Sequence, residues 1–156
     1  MKANRSSKIA KIGAIGEQLV LNYLLSTREY EFIDYSGNPY DMHKDLIATL
    51  KGERIKIECK VRTVIRKYYA LPLGLDQWYK VDNADRFFFV TSPTSIDELI
   101  AIYEATSKDY FVLDAFGPKN QRTRMYDIAK MKKITTISDP EIVKKMYDLS
   151  VSTYKQ

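Results

Sequence analysis

Residues 45–60 read Asp-Leu-Ile-Ala-Thr-Leu-Lys-Gly-Glu-Arg-Ile-Lys-Ile-Glu-Cys-Lys. Two β-prone runs flank Lys51-Gly52, a pair with the length of a tight hairpin loop. In the second run Ile55, Ile57 and Cys59 alternate with Arg54, Lys56, Glu58 and Lys60. A period of two predicts a strand with one apolar and one polar face. If Lys51 and Gly52 are the loop, Leu50 pairs with Glu53, Ala48 with Ile55 and Leu46 with Ile57. Asp45 then falls opposite Glu58, with Lys60 two residues further along the same face. A three-residue loop would slip this register and turn the polar set inward; Asp41 is then the alternative carboxylate.

Directly opposed carboxylates destabilise a sheet, so the pair calls for a counter-charge. A divalent cation is one. Carboxylate and carbonyl oxygens suit Mg²⁺ or Mn²⁺ better than Zn²⁺. A lysine beside such an ion can orient water or stabilise charge on a phosphate. The plainer reading is a solvated Glu-Lys pair of ~0–1 kcal/mol.

The whole chain has 156 residues, 45% hydrophobic and 29% charged, the size and composition of one globular domain. It is read as a single domain over 1–156, with residues 1–8 expected to form a flexible basic start. No apolar run approaches the ~20 residues of a membrane span, and the first residues lack the apolar core of a leader peptide. An intracellular (cytoplasmic) protein is expected. One cysteine and one histidine leave no disulfide within the chain and no cysteine-rich zinc site. Net charge is +5, and residues 1–70 hold all of the surplus, with 13 Lys and Arg against 8 Asp and Glu. That asymmetry suits a polyanionic partner on the front half.

Working outward, residues 12–25 carry apolar positions at helical spacing, with Glu17 in the early turns. Tyr30–Tyr35 is a strand candidate, followed by turn chemistry at Ser36–Pro39. Leu75–Val81 is expected to be helical, Arg86–Thr91 and Asp109–Ala115 to be strands, and residues 96–105 fit either. Ser138-Asp139-Pro140-Glu141 reads as a helix start. The sum is an α/β or α+β domain.

Glu17 on an early helix, then Asp45, then Glu58-Cys59-Lys60 on the next strand resembles the PD-(D/E)XK nuclease superfamily. The matches are Gly13–Glu17, Asp45–Ala48, Ile55–Lys60 and Leu75–Trp78, over roughly residues 8–92. Within the superfamily the front half is most similar to archaeal-type Holliday junction resolvases. The resemblance implies a restriction-endonuclease-like mixed central sheet flanked by helices on both sides. It implies a Mg²⁺-dependent DNA endonuclease in which Asp45, Glu58 and the Cys59 carbonyl hold the ion. Lys60 would position water, Glu17 would be a further acidic ligand, and Gln77 would support the site. Lys44 departs from the pattern, which has proline there, while Pro39-Tyr40-Asp41 lies earlier.

His43, beside Asp45, is a candidate ligand or base, with a surface role as the plainer reading. Cys59 is expected to be a small core residue. Lys8, Lys11, Arg62, Arg66 and Lys67 are candidate DNA contacts, and Tyr68 and Tyr69 could stack on unpaired bases. A resolvase would act as a homodimer. Two other readings stand beside it. One is a sequence-specific restriction or homing-type nuclease reading bases through Asn120, Gln121, Arg122 and Arg124. The other is a non-catalytic nucleic-acid-binding module.

Overall fold

A computed structural model describes residues 2–36 and 45–154. The hairpin forms as the alternation predicts. Strands β2 (Asp45–Leu50) and β3 (Glu53–Arg62) pair antiparallel with Leu50 opposite Glu53, Ala48 opposite Ile55 and Leu46 opposite Ile57. Lys51 and Gly52 both take positive φ, 52° and 78°, the left-handed conformation that two-residue hairpins demand. The turn expected at 36–39 lies outside the described residues beyond Ser36. Asp41, His43 and Lys44 lie outside them as well.

Around this hairpin a six-stranded mixed sheet assembles from β1 (Phe32–Ser36), β2, β3, β5 (Arg86–Thr91), β6 (Ile100–Ala105) and β9 (Lys132–Ile137), adjacent in that order. β3 and β5 are parallel and the remaining neighbours antiparallel. A second, antiparallel sheet has the order β4 (Ala70–Gly74), β8 (Gln121–Asp127), β7 (Tyr110–Phe116). Parallel pairing of β3 with β5 requires a crossover. It consists of β4, a 3₁₀ turn (Leu75–Gln77) and the short helix α2 (Trp78–Asp82).

The two faces of the main sheet bury different cores. Helices α1 (Lys2–Thr27) and α3 (Pro140–Tyr154) close over Ile57, Phe88, Val90 and Ile102 with Leu19, Val20, Leu24, Val143 and Met146. Phe87, Phe89 and Tyr103 alternate to the other face and meet Leu71, Leu73 and Tyr126 of the small sheet. Two long helices thus cover one face, while the other face has only the short α2 beside strands. The sheet expected to lie between helices has them unequally: the second face is covered mainly by the three-stranded sheet, with α2 as its one short helix among the described residues.

α1 begins at Lys2, so the segment expected to be a flexible basic start is helical from its second residue. Residues 96–105 resolve into a strand from Ile100, because Thr94 donates its backbone N–H and hydroxyl to Glu98 and turns the chain there. β4 contains Pro72, which argues against a central strand. It is tolerated because β4 is the edge of the small sheet. α3 starts as read, with Asp139 Oδ1 accepting the Glu141 N–H at 3.0 Å and Pro140 in the first turn. Among the described residues no helix is long and apolar enough to cross a membrane.

Candidate active site

The alternation of β3 divides its residues between two environments. Ile55, Ile57, Cys59 and Val61 join the core beneath α1 and α3. Glu58, Lys60 and Arg62 therefore project from the opposite face. Burial raises the Cys59 thiol above its ordinary range, and the negative charges of Glu17 and Glu58 push it the same way. It stays protonated, a core residue and not a nucleophile.

Glu58 and Lys60 are sheltered, their side chains 12% and 16% exposed, with Oε1 and Nζ 4.0 Å apart. Desolvation lowers the pKa of Lys60, the charge of Glu58 opposes that, and Lys80 and Arg62 add to the lowering. The ammonium donates to Gln77 Oε1 at 2.9 Å. Glu58, Lys60 and Gln77 are thus brought together, as the sequence and the resemblance grouped them.

The turn that presents Gln77 is itself fastened. Asp76 accepts from Lys119 Nζ at 2.7 Å and from Gln121 Nε2 at 3.1 Å, bonds that hold its carboxyl below the usual range. Gln121 fits against Gly74 because a Cβ there would overlap its amide. The small sheet thereby holds the 3₁₀ turn against β3. Composition carries no signal for this clamp, since its parts are 45 residues apart in the chain.

The observed register, carried one step past Leu46 and Ile57, sets Asp45 level with Glu58, and Ser36 pairs with Asp45 from the other side. The Asp45 side chain lies outside the described residues. Glu17 is half-buried on α1 and follows Gly16, where a Cβ would overlap the Val61 side chain. That close approach holds α1 against β3, near enough that the negative charge of Glu17 is felt at the Cys59 thiol.

Among the described residues no group of three or more His, Cys, Asp or Glu side chains gathers around a common point. The donors at hand, the Glu58 carboxylate and strand carbonyls beside it, are oxygens of the kind hard divalent cations take. Their chemistry fits Mg²⁺ or Mn²⁺.

The expected DNA contacts fall in three settings. Arg62 turns back onto the protein, donating Nε to the Pro72 carbonyl at 3.1 Å and Nη1 to its neighbour Val61 at 2.9 Å, which ties β3 to β4. Arg66 and Lys67 are exposed on the turn before β4, with the Lys67 ammonium 5.4 Å from the Tyr68 ring centre. Lys8 is half-exposed and Lys11 exposed on α1. Of the residues suggested as base readers, Arg124 and Gln121 are spent inside the protein. Arg124 is 7% exposed, bonded to Asp82 at 2.7 and 2.8 Å, and lies 4.5 and 4.6 Å from the ring centres of Trp78 and Tyr110.

Fold and site together define a mixed α+β protein whose central sheet carries a sheltered Glu-Lys pair braced by a glutamine. No family model matches the sequence, and no curated protein or solved structure matches it.

Proposed function

We propose that the chain is a metal-dependent DNA endonuclease of the PD-(D/E)XK kind, structure-selective in the manner of a Holliday junction resolvase and acting as a homodimer. The observation that carries this reading is Lys60, held by Gln77 and 4.0 Å from Glu58, on the face to which the hairpin register, extended by one residue, brings Asp45. Opposed acids beside a desolvated lysine are costly as plain structure, and a hydrolytic site gives them a use.

Asp45, Glu58 and the Cys59 carbonyl would hold Mg²⁺ or Mn²⁺, with Glu17 as a further acidic group. The ion, when bound, supplies neutralisation of phosphate charge and a more acidic water. Lys60, fixed by Gln77, orients the attacking water or receives charge developing on the phosphate. The front half carries the basic surplus that a DNA backbone would meet. The reading as a base-specific nuclease loses support where Arg124 is buried in an internal ion pair.

Purified protein with Mg²⁺ should nick four-way and flap DNA in preference to linear duplex. Glu58→Ala and Lys60→Ala should each lower the rate at least about 100-fold. Cleavage retained in both variants overturns the assignment. Salt-dependent binding without cleavage in any metal would identify a non-catalytic binding module instead.

A further inference from the structure

A second cleft opens on the same face of the main sheet, away from Gln77. It has a volume of about 360 Å³, and Arg66, Tyr69, Glu98, Tyr103 and Lys133 line it together with apolar neighbours such as Ile128. The pairing places it relative to Lys60. Lys60 lies beside Phe89, Phe89 beside Tyr103, and Tyr103 beside Lys133, in one row across four strands. At about 4.8 Å per strand, Tyr103 is roughly 10 Å from Lys60 along the sheet.

Three features make this cleft more than a gap between layers. Glu98 is occupied by Thr94, which donates both backbone N–H and hydroxyl to it. Arg66 and Lys133, by contrast, have no ion-pair partner among the described residues, so the cleft presents two uncommitted cations. Tyr69 holds a left-handed backbone, φ 49°, and leaves its ring 56% exposed. That backbone closes the turn before β4, with the Tyr69 N–H donating to the Arg66 carbonyl at 3.2 Å and the Ile128 N–H to the Tyr69 carbonyl at 3.1 Å, and it leaves the side chain turned to solvent. Tyr69 and Tyr103 line the cleft together, and burial with the nearness of Tyr69 raises the Tyr103 hydroxyl.

We infer that this cleft holds one unpaired nucleotide of a single-stranded DNA segment, its base against the Tyr69 ring and its phosphate between Arg66 and Lys133. Aromatic faces accept any base, and paired cations hold the backbone without reading sequence. The inference rests on DNA being the substrate and narrows it to DNA with an unpaired arm beside the cleavage point.

The test is fluorescence anisotropy with a labelled eight-residue oligothymidylate and a duplex of equal length, in EDTA, so that no cleavage is involved. The single strand should bind more tightly than the duplex. Tyr69→Gly, which suits the left-handed backbone, should lower single-strand affinity about tenfold without lowering Tm, and Tyr69→Phe should retain it. Arg66→Ala with Lys133→Ala should reduce the slope of log K against log salt by about 1.4. Equal affinity for duplex, or unchanged binding in Tyr69→Gly, overturns the inference. Competition by dTMP as strong as by the oligonucleotide also overturns it, by making a free nucleotide the ligand. A nuclease that fails to cut could still pass this test, and an active one could fail it.

Discussion

The Lys60 ammonium donates a 2.9 Å hydrogen bond to Gln77 Oε1, joining the middle of β3 to the turn that follows β4. The bond holds Nζ at 4.0 Å from Glu58 Oε1, at the limit of an ion pair. Without Gln77 the ammonium is free to close on Glu58 and leave the position from which it would meet water. Gln77→Ala should therefore lower kcat for metal-dependent cleavage by about 10- to 100-fold with DNA affinity unchanged. Its cost in stability should be only about 1 kcal/mol. Single-turnover kinetics beside a binding titration separate the two effects, and a loss confined to affinity would contradict this role.

Burial lowers the pKa of Lys60, so the folded protein sheds this proton before the unfolded chain does. Between the folded pKa and the ordinary lysine value, the unfolded state binds more protons and stability rises with pH. Below that window the charged, desolvated ammonium is a fixed burden on the fold. Lys60→Met should remove the burden, so its Tm should exceed that of the wild type near neutrality. The gap should narrow as pH rises through the alkaline range, which paired thermal melts of the two proteins will show.

The hairpin was legible because one rule settled it. Strict alternation from Arg54 to Lys60 and a two-residue loop specify both register and face, and every pair from Leu50–Glu53 to Leu46–Ile57 is observed. Glu58 and Lys60 follow from that register alone. Gln77 came from the resemblance, since nothing in its local sequence points toward Lys60. Of the small sheet only β7 was legible, and its two partners were hidden for a different reason. β4 contains a proline and β8 carries two arginines, a glutamine and an aspartate in seven residues, so neither has the β-branched run of an ordinary strand. Their burial depends on partners distant in sequence, such as Trp78, Asp82 and Tyr110 around Arg124. Tertiary pairing of that kind overrides local propensity.

Gly16 permits α1 to rest on β3, because a Cβ there would overlap the Val61 side chain. Gly16→Ala should destabilise the protein by about 1–3 kcal/mol through overpacking, despite the better helix propensity of alanine. Val61→Ala opens space at the same point, so the double variant should recover part of the loss. A coupling of at least about 0.5 kcal/mol in the double-mutant cycle is expected from urea denaturation. Strict additivity would mean that α1 relaxes away from Val61 at no cost.

Arg124 is the best-enclosed charge among the described basic side chains, between the Trp78 and Tyr110 rings and against Asp82, which is itself 54% exposed. The geometry needs a planar fork: two nitrogens reach the two Asp82 oxygens at 2.7 and 2.8 Å while the flat group stacks on both rings. Lysine provides neither the fork nor the plane. Arg124→Lys should cost about 2 kcal/mol, mostly from lost ring contact in a desolvated setting. Asp82→Asn separates the ionic part. The arginine holds the Asp82 carboxyl below the usual carboxylate range, so this contribution is present above that range and is lost as pH falls through the lowered value. Solvent access to Asp82 keeps it small. The Asp82→Asn penalty in urea denaturation should therefore shrink between neutral pH and about pH 3, while the Arg124→Lys penalty largely remains. Equal shrinkage in both would assign Arg124 an ionic role only, against the stacking.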